Sequence, residues 1–245
     1  MDIGGLLSPG AEFQHRLGEA KKSAEPRNGW YPYGSLSNLW HLDRLLTGDH
    51  RDLHRLGGAG PVADIGAADG DMAYFLASVG MSVEIIDNGP TNYNGLEGAR
   101  LLGQLLGIPA PIREVDLDRQ FELPRDDYSL VLFLGLLYHL QNPYYAMRQL
   151  ASHTRFLLLS TRVAAQTVDG LAFGDAPIAY LVDPRETNND PTNYWIFSRA
   201  GLFRLASRAG WEVLDEMTVG HTDGTSDPSS QDRDERAFLL LRSTR

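Results

Sequence analysis

Apolar residues recur along the chain in two rhythms, which change near residue 61. Before it, a weakly amphipathic stretch runs from Phe13 to Ala24. A second runs from Ser37 to Leu56, with Leu39, Leu42, Leu45, Leu46 and Leu53 roughly on one face. Both predict helices. Between them, Asn28-Gly29-Trp30-Tyr31-Pro32-Tyr33-Gly34 reads as an aromatic loop punctuated by Gly and Pro. From Pro61 onward short apolar runs alternate with helical segments. Strands are predicted at Val62–Ile65, Ser82–Ile86, Ile112–Val115, Leu130–Leu134 and Phe156–Ser160, with helices at Asp71–Ser78, Gly95–Leu106 and Pro143–Ser152. That alternation implies a parallel sheet with helices on both faces. A further helix, Ser198–Ala209, stops at Gly210. Strands Trp211–Val219 and Ala237–Leu241 follow, joined by a polar, hairpin-like connection from Gly220 to Arg236. The class is therefore α/β, with a helical N-terminal extension over residues 1–60 and one domain over 61–245. Residues 163–197 break the alternation, and a segment that long inside a compact domain reads as a functional insertion or lid.

Charge narrows the partners. The net charge is -10, opposite to the basic field by which a protein neutralises nucleic-acid phosphates. A small neutral or cationic molecule is the expected substrate, and nucleic acid is disfavoured. The chain has no cysteine, which excludes disulfides, thiolate catalysis and cysteine zinc sites and fits a cytoplasmic location. The opening residues MDIGGLLSPGAEF lack the pattern of a signal peptide. The longest apolar run, Leu130 to Leu137, is too short to span a bilayer, so no membrane partner is expected.

The first strand-to-helix turn carries the chemistry. It reads Val62-Ala63-Asp64-Ile65-Gly66-Ala67-Ala68-Asp69-Gly70-Asp71. Glycines here let a ligand approach the backbone. A dinucleotide fingerprint would need Gly at 66, 68 and 71, whereas positions 68 and 71 are Ala and Asp. Asp64, Asp69 and Asp71 crowd the turn; they would repel a pyrophosphate and suit a ligand carrying an ammonium or sulfonium charge. S-adenosylmethionine carries both and no phosphate. Asp87, at the end of the second strand and followed by Asn88, stands where an acidic residue accepts ribose hydroxyls. Asp116, after the third strand, is suited to the adenine amino group, with Leu117 covering the ring. Each of these residues also reads plainly as a strand-end cap or turn former; their succession at three strand ends favours a cofactor site.

The order Asp64-x-Gly66-x-Ala68-x-Gly70, Asp87, Asp116, then Leu134-Gly135-Leu136-Leu137-Tyr138-His139 resembles class I S-adenosylmethionine-dependent methyltransferases, with Ala68 where a glycine is common. The resemblance implies a Rossmann-like, seven-stranded methyltransferase sheet, mostly parallel with an antiparallel C-terminal strand. It implies S-adenosylmethionine as cofactor, held by Asp64, Gly66, Ala67, Ala68, Gly70, Asp87, Asn88, Asp116, Leu117, Leu134, Gly135 and Tyr138. More narrowly, Gly135 to Pro143, with Tyr194-Trp195 and Trp30-Tyr31-Pro32-Tyr33, resembles relatives of the bacterial tRNA wobble-uridine carboxymethyltransferase group. That enzyme uses a carboxylated cofactor held by basic and tyrosyl groups. Tyr138 stands at the matching tyrosine, but the aromatic loop lacks Lys or Arg, so ordinary S-adenosylmethionine and a smaller acceptor are expected.

Methyl transfer asks the protein to align an acceptor and remove one proton. His139, just past the fourth strand, is the candidate base; the plainer role is a packing histidine. Trp30, Tyr33, Asn193, Tyr194 and Trp195 are candidate substrate contacts, or aromatic anchors of their loops. Asp183, Glu186 and Asp190 read as a solvated acidic loop rather than a metal site, and no metal is expected. His50 and His54 share a helical i,i+4 face and read as solvated. The leading function is a methyltransferase for a small-molecule or glycan-type acceptor, with oxygen the favoured atom. One alternative is an RNA methyltransferase, which predicts a basic surface built from Arg100, Arg113, Arg148 or Arg185. The other is a non-catalytic cofactor-binding partner subunit.

Overall fold

A computed structural model describes residues 2–58, 60–229 and 231–245; Met1 and Ala59 of the predicted extension and Ser230 of the predicted connection lie outside them. The chain forms two compact units, residues 1–132 with 153–156, and residues 133–152 with 157–245.

The first unit begins with α1 (Leu7–Ser23), which buries Phe13 and Leu17. The Phe13 ring lies 5.6 Å from that of Phe75, and burying each such side chain contributes about 1.5–3 kcal/mol. Gly10 lets α1 approach closely, since a Cβ there would lie 2.6 Å from Leu39 Cδ1. The single helix expected over Ser37–Leu56 is instead α2 (Asn38–Leu45), a 3-10 turn over Gly48–Arg51, and α3 (Leu53–Gly57). Gly48 takes a positive φ of 50° that breaks the helix, and the Asp52 side chain restarts it by accepting from Arg55 N–H. His50 and His54 therefore sit on separate segments. Next come β1 (Val62–Ile65), α4 (Asp71–Ser78), β2 (Val83–Asp87), α5 (Glu97–Leu106), β3 (Ile112–Glu114) and β4 (Tyr128–Leu134), the last two residues of β4 belonging to the second unit. The order is β3-β2-β1-β4 and every pair is parallel. β1 is buried along its whole length, as a central parallel strand must be. This register sets Asp64 beside Ile85 and Asp87 beside Glu114, so both aspartates lie at the carboxyl end of the sheet.

The second unit holds α6 (Pro143–Leu150), capped by Asn142 with Pro143 in its first turn. It continues with β5 (Thr154–Val163, whose first three residues belong to the first unit), β6 (Ala179–Leu181), β7 (Trp195–Phe197), α7 (Arg199–Ala209), β8 (Trp211–Gly220) and β9 (Glu235–Ser243). Ser198 Oγ caps α7 by accepting from Gly201 N–H at 2.8 Å, and Gly210 ends the helix at a φ of 100°. β8 and β9 pair antiparallel with a bulge between Val213 and Asp215, and β9 also pairs with β5. Residues 163–197 contain two strands that the sequence pattern does not reveal. β7 runs parallel to β5 at Val163 and Phe197, and β6 runs antiparallel to β7. Each is three residues long, too short for an alternating pattern to register. They close on a small core of Ala164, Phe173, Val182 and Ile196, with Tyr180 stacked 6.4 Å from Phe173. The class is as expected, α/β with a mostly parallel sheet and an antiparallel terminal pair. Nine strands stand in the described residues where seven were expected. No helix among the described residues is long and apolar enough to cross a membrane.

Candidate functional site

The glycine turn leaves β1 after Asp64 and enters α4. Gly66 and Gly70 take φ values of 72° and 81°, and Ala68 takes 53°. A Cβ at Gly70 would lie 2.8 Å from Ile85 Cδ1 and 3.0 Å from the Tyr74 ring, so a side chain there would be crowded as well as strained. Ala68 carries the left-handed conformation with a side chain, which costs on the order of 1 kcal/mol.

Two of the three turn carboxylates are already occupied. Asp69 is 2% exposed and accepts from Tyr31 N–H at 2.8 Å, Asn94 Nδ2 at 2.8 Å and Lys21 Nζ at 3.3 Å. Lys21 also meets Asp71, at 2.9 Å. These two aspartates anchor the N-terminal segment to the turn, which corrects the expectation that all three anions await a cation. Asp64 is the exception. Its Oδ2 is buried without a hydrogen-bond partner among the described residues. Burial, then the neighbouring Asp87 and Asp71, push its pKa up to about 7. An orphaned, buried carboxylate oxygen among other anions is a site for a cationic group, and the α-ammonium of S-adenosylmethionine fits it.

Asp87 is held by three donors. Oδ2 accepts from Ala68 N–H and Asn92 Nδ2, each at 3.0 Å, and Oδ1 accepts from Asn88 N–H at 2.7 Å. Burial raises its pKa, and these hydrogen bonds oppose the rise. The Asn88 side chain bonds Thr91 and shapes the loop after β2. Asp116 Oδ1 accepts from Asp118 N–H and Oδ2 pairs with Arg119 at 3.0 Å, while Leu117 is buried. Trp30 donates from Nε1 to the carbonyls of Lys21 and Ala24, capping the end of α1, and its ring lies 5.3 Å from Lys21 Nζ. Tyr33 is 66% exposed and meets Tyr31 edge-on at 5.5 Å; Tyr31 also meets Tyr93, at 5.9 Å.

In the second unit Leu134 ends β4, and Gly135 turns the chain at a φ of 81° while donating to Ser160 O. Tyr138 O accepts from Tyr194 N–H at 2.8 Å, and the Arg236 guanidinium lies 5.6 Å from the Tyr138 ring. His139 stands beside Tyr138, ring to ring at 4.3 Å, with Nδ1 3.1 Å from Thr192 O. Burial, ahead of all other influences, lowers its pKa. Asn193 is buried and donates weakly to Thr187 O at 3.4 Å; its Oδ1 has no partner among the described residues. Trp195 donates from Nε1 to Gln141 O at 3.3 Å and sits in β7. Residues 138, 139 and 194 thus converge, whereas Trp195 serves the loop beside α6. The acidic residues of 183–190 are engaged locally. Asp183 pairs with Arg185, Glu186 accepts from Tyr180 Oη–H, and Asp190 accepts from Thr192. Among the described residues no three His, Asp or Glu side chains cluster as a metal site would require.

Lys21, Asn92, Asn94, Thr192 and Arg236 are site groups that the sequence reading missed. The run Asn88-Gly-Pro-Thr-Asn92-Tyr-Asn94 did carry a signal, because asparagines in a Gly/Pro turn bond nearby backbone. Nothing local marks a lysine in α1 as a partner for Asp69.

A parallel sheet with an acid-bearing glycine turn and a carboxylate at the end of the next strand defines a class I, S-adenosylmethionine-dependent methyltransferase. The chain belongs to the methyltransferase-domain family, whose model matches residues 40–216. No curated protein sequence matches it. Among solved structures it is similar to the N-terminal domain of EvdMO1 with SAH bound. The identity is 20% over 96% of this chain and 97% of that one, with a TM-score of 0.58. It is also similar to the [4+2]-cyclase SpnF, at 16% identity over 87% and 86% with a TM-score of 0.58. A third likeness is to a putative methyltransferase from Bacillus halodurans, at 16% identity over 78% and 98% with a TM-score of 0.55. At these identities the likeness is one of fold.

Proposed function

We propose that the chain methylates a hydroxyl oxygen of a small-molecule or glycan-type acceptor, with His139 as the base. The observation that carries this reading is the hydrogen bond at His139 Nδ1, which fixes the tautomer. That nitrogen faces the Thr192 carbonyl, which only accepts, so the proton sits on Nδ1 and the lone pair on Nε2. A lowered pKa keeps the ring neutral at pH 7. His139 Nε2 takes the acceptor's hydroxyl proton as the oxygen gains the methyl group. S-adenosylmethionine supplies that methyl already activated by the sulfonium, and S-adenosylhomocysteine leaves. Asp87 accepts from the ribose hydroxyls, Asp64 faces the ammonium, and Asp116 and Leu117 serve the adenine. The turn from Gly66 through Ala67 and Ala68 to Gly70, with Asn88, Leu134, Gly135 and Tyr138, completes the cofactor contacts. Trp30, Tyr33, Asn193, Tyr194 and Trp195 serve the acceptor. Residues 1–60 act as a cap on the cofactor turn, and 163–197 as an acceptor-binding insertion.

A glycan-type acceptor is supported by the neighbour crystallised in the presence of SAH and D-fucose. The motif resemblance to relatives of the tRNA wobble-uridine group stays in this reading, with a different acceptor. RNA is disfavoured because Arg100, Arg113 and Arg185 are engaged by Glu114, Glu84 and Asp183 and the net charge is -10. The fold alone does not fix the reaction, since a [4+2]-cyclase shares it, so the test is turnover. Radiolabelled methyl should pass from S-adenosylmethionine to a member of a panel of glycosides and sugar nucleotides. Transfer to bulk tRNA and to no small acceptor would overturn the reading, and cofactor binding without any transfer would favour a non-catalytic subunit.

A further inference from the structure

The loop between β2 and α5 joins the cofactor carboxylate to the N-terminal segment by an unbroken set of hydrogen bonds. Asn92 Nδ2 donates to Asp87 Oδ2 at 3.0 Å and to Ala68 O at 3.3 Å. Asn92 Oδ1 accepts from Asn94 N–H at 3.1 Å and Leu96 N–H at 2.9 Å. Asn94 Oδ1 accepts from Gly98 N–H at 3.0 Å, while its Nδ2 donates to Asp69 Oδ1 at 2.8 Å and Gly29 O at 3.2 Å. Asp69 then holds Tyr31 N–H, and Glu97 in the first turn of α5 holds Arg27 N–H at 3.2 Å.

Two further features mark this loop as more than a connection. Leu96 is wholly buried yet takes a φ of 67°, a conformation that costs a non-glycine residue on the order of 1–2 kcal/mol and persists only where surrounding bonds enforce it. Gly98 is the neighbour that permits the approach, because a Cβ there would overlap the Asp69 carboxylate and the Asn94 amide. Of the three donors that fix Asp87, only Asn92 contributes a side chain.

We propose that Asn92 and Asn94 are positioning residues for cofactor binding, which couple Asp87 to the seating of the N-terminal segment Arg27–Tyr31 on the glycine turn. The proposal rests on the ribose role of Asp87. Cofactor affinity then depends on contacts made by residues that do not touch the cofactor, and cofactor occupancy stabilises the N-terminal segment in return.

Asn94→Asp breaks the coupling, since it keeps the acceptor for Gly98 N–H and replaces the donor to Asp69 and Gly29 with a carboxylate that repels Asp69. Titration calorimetry with S-adenosylhomocysteine should show affinity about tenfold weaker than wild type. The KM for S-adenosylmethionine should rise with kcat within about twofold, a split that general loss of structure would not produce. Tryptic cleavage after Arg27, slowed by S-adenosylhomocysteine in the wild type, should lose that protection. Glu97→Ala severs the surface tie to Arg27 without touching the buried network, and should weaken affinity by about threefold even if Asn94→Asp fails to fold. Asp87→Ala separates the two readings. If it leaves affinity unchanged, the ribose role and the coupling both fall. If it weakens affinity sharply while Glu97→Ala and Asn94→Asp bind and protect as wild type, the coupling alone is overturned.

Discussion

Thr192 holds His139 in one tautomer through two oxygens, its carbonyl at 3.1 Å and its Oγ1 at 3.0 Å from Nδ1. The hydroxyl itself donates to Asp190 Oδ1 at 2.6 Å, so it too accepts from the ring. Because burial depresses the His139 pKa, the neutral ring, which the proposed base role requires, survives to lower pH than for a free imidazole. With S-adenosylmethionine saturating, the acid limb of kcat/KM for the acceptor should therefore fall below about 6.5; a midpoint above that value argues against His139. His139→Ala should lower kcat by about 100-fold or more while leaving S-adenosylhomocysteine affinity within twofold by calorimetry.

On the proposed reading, in which Asp64 faces the ammonium, cofactor binding should depend on pH. The folded-state pKa of Asp64, pushed up to about 7, exceeds the unfolded value of about 3.9. Its contribution to stability is therefore fully present below pH 4 and is lost as pH rises through 7. A bound ammonium favours the ionised form, so binding near neutrality should release a proton. Affinity for S-adenosylmethionine should rise from pH 6 to pH 8, with proton release read by calorimetry in buffers of different ionisation heat. Asp64→Asn should abolish that release and raise the Tm of the cofactor-free protein at pH 8.

Lys21 is the cation for two buried carboxylates. Lys21→Met leaves Asp69 and Asp71 facing one another without it, and should cost about 3 kcal/mol, or roughly 6–12 °C in Tm by calorimetric scan. Adding Asp71→Asn should recover part of the loss; a single-variant Tm within 1–2 °C of wild type, the shift expected of about 0.5 kcal/mol, would show the cluster to be energetically idle.

Ala68 offers the opposite experiment. At a φ of 53° its methyl group is strained, and Ala68→Gly should raise stability by about 0.5–1 kcal/mol net of the extra chain entropy. Urea denaturation measures this directly, and a loss of stability would mean that the methyl packs better than the turn geometry suggests.

The sheet was legible because β1, β2 and β4 are short apolar runs that alternate with helical segments such as Asp71–Ser78 and are clearly punctuated. β6 and β7 were not, since such short strands carry no period; β7 owes its pairing to β5, and β6 to β7. The N-terminal helix break at Gly48 was signalled by Thr47-Gly48 but outweighed in the reading by leucines on both sides. At the site, Asp64 and Asp87 were visible as acids at strand ends. That Asp69 and Asp71 are neutralised was not, because their counter-ion lies 48 and 50 residues away in α1, and no local pattern encodes a contact of that range.

Lys21 also bears on where the protein ends as a folding unit. The family-defining stretch spans 40–216, yet α1 precedes it and β9 follows it, with Phe238 to Leu241 buried. A fragment cut to the alignment would strand two carboxylates without their cation and strip a sheet of its inner strand. Ancestry, as sequence comparison traces it, and autonomy, as a chain in water experiences it, have different borders in this molecule.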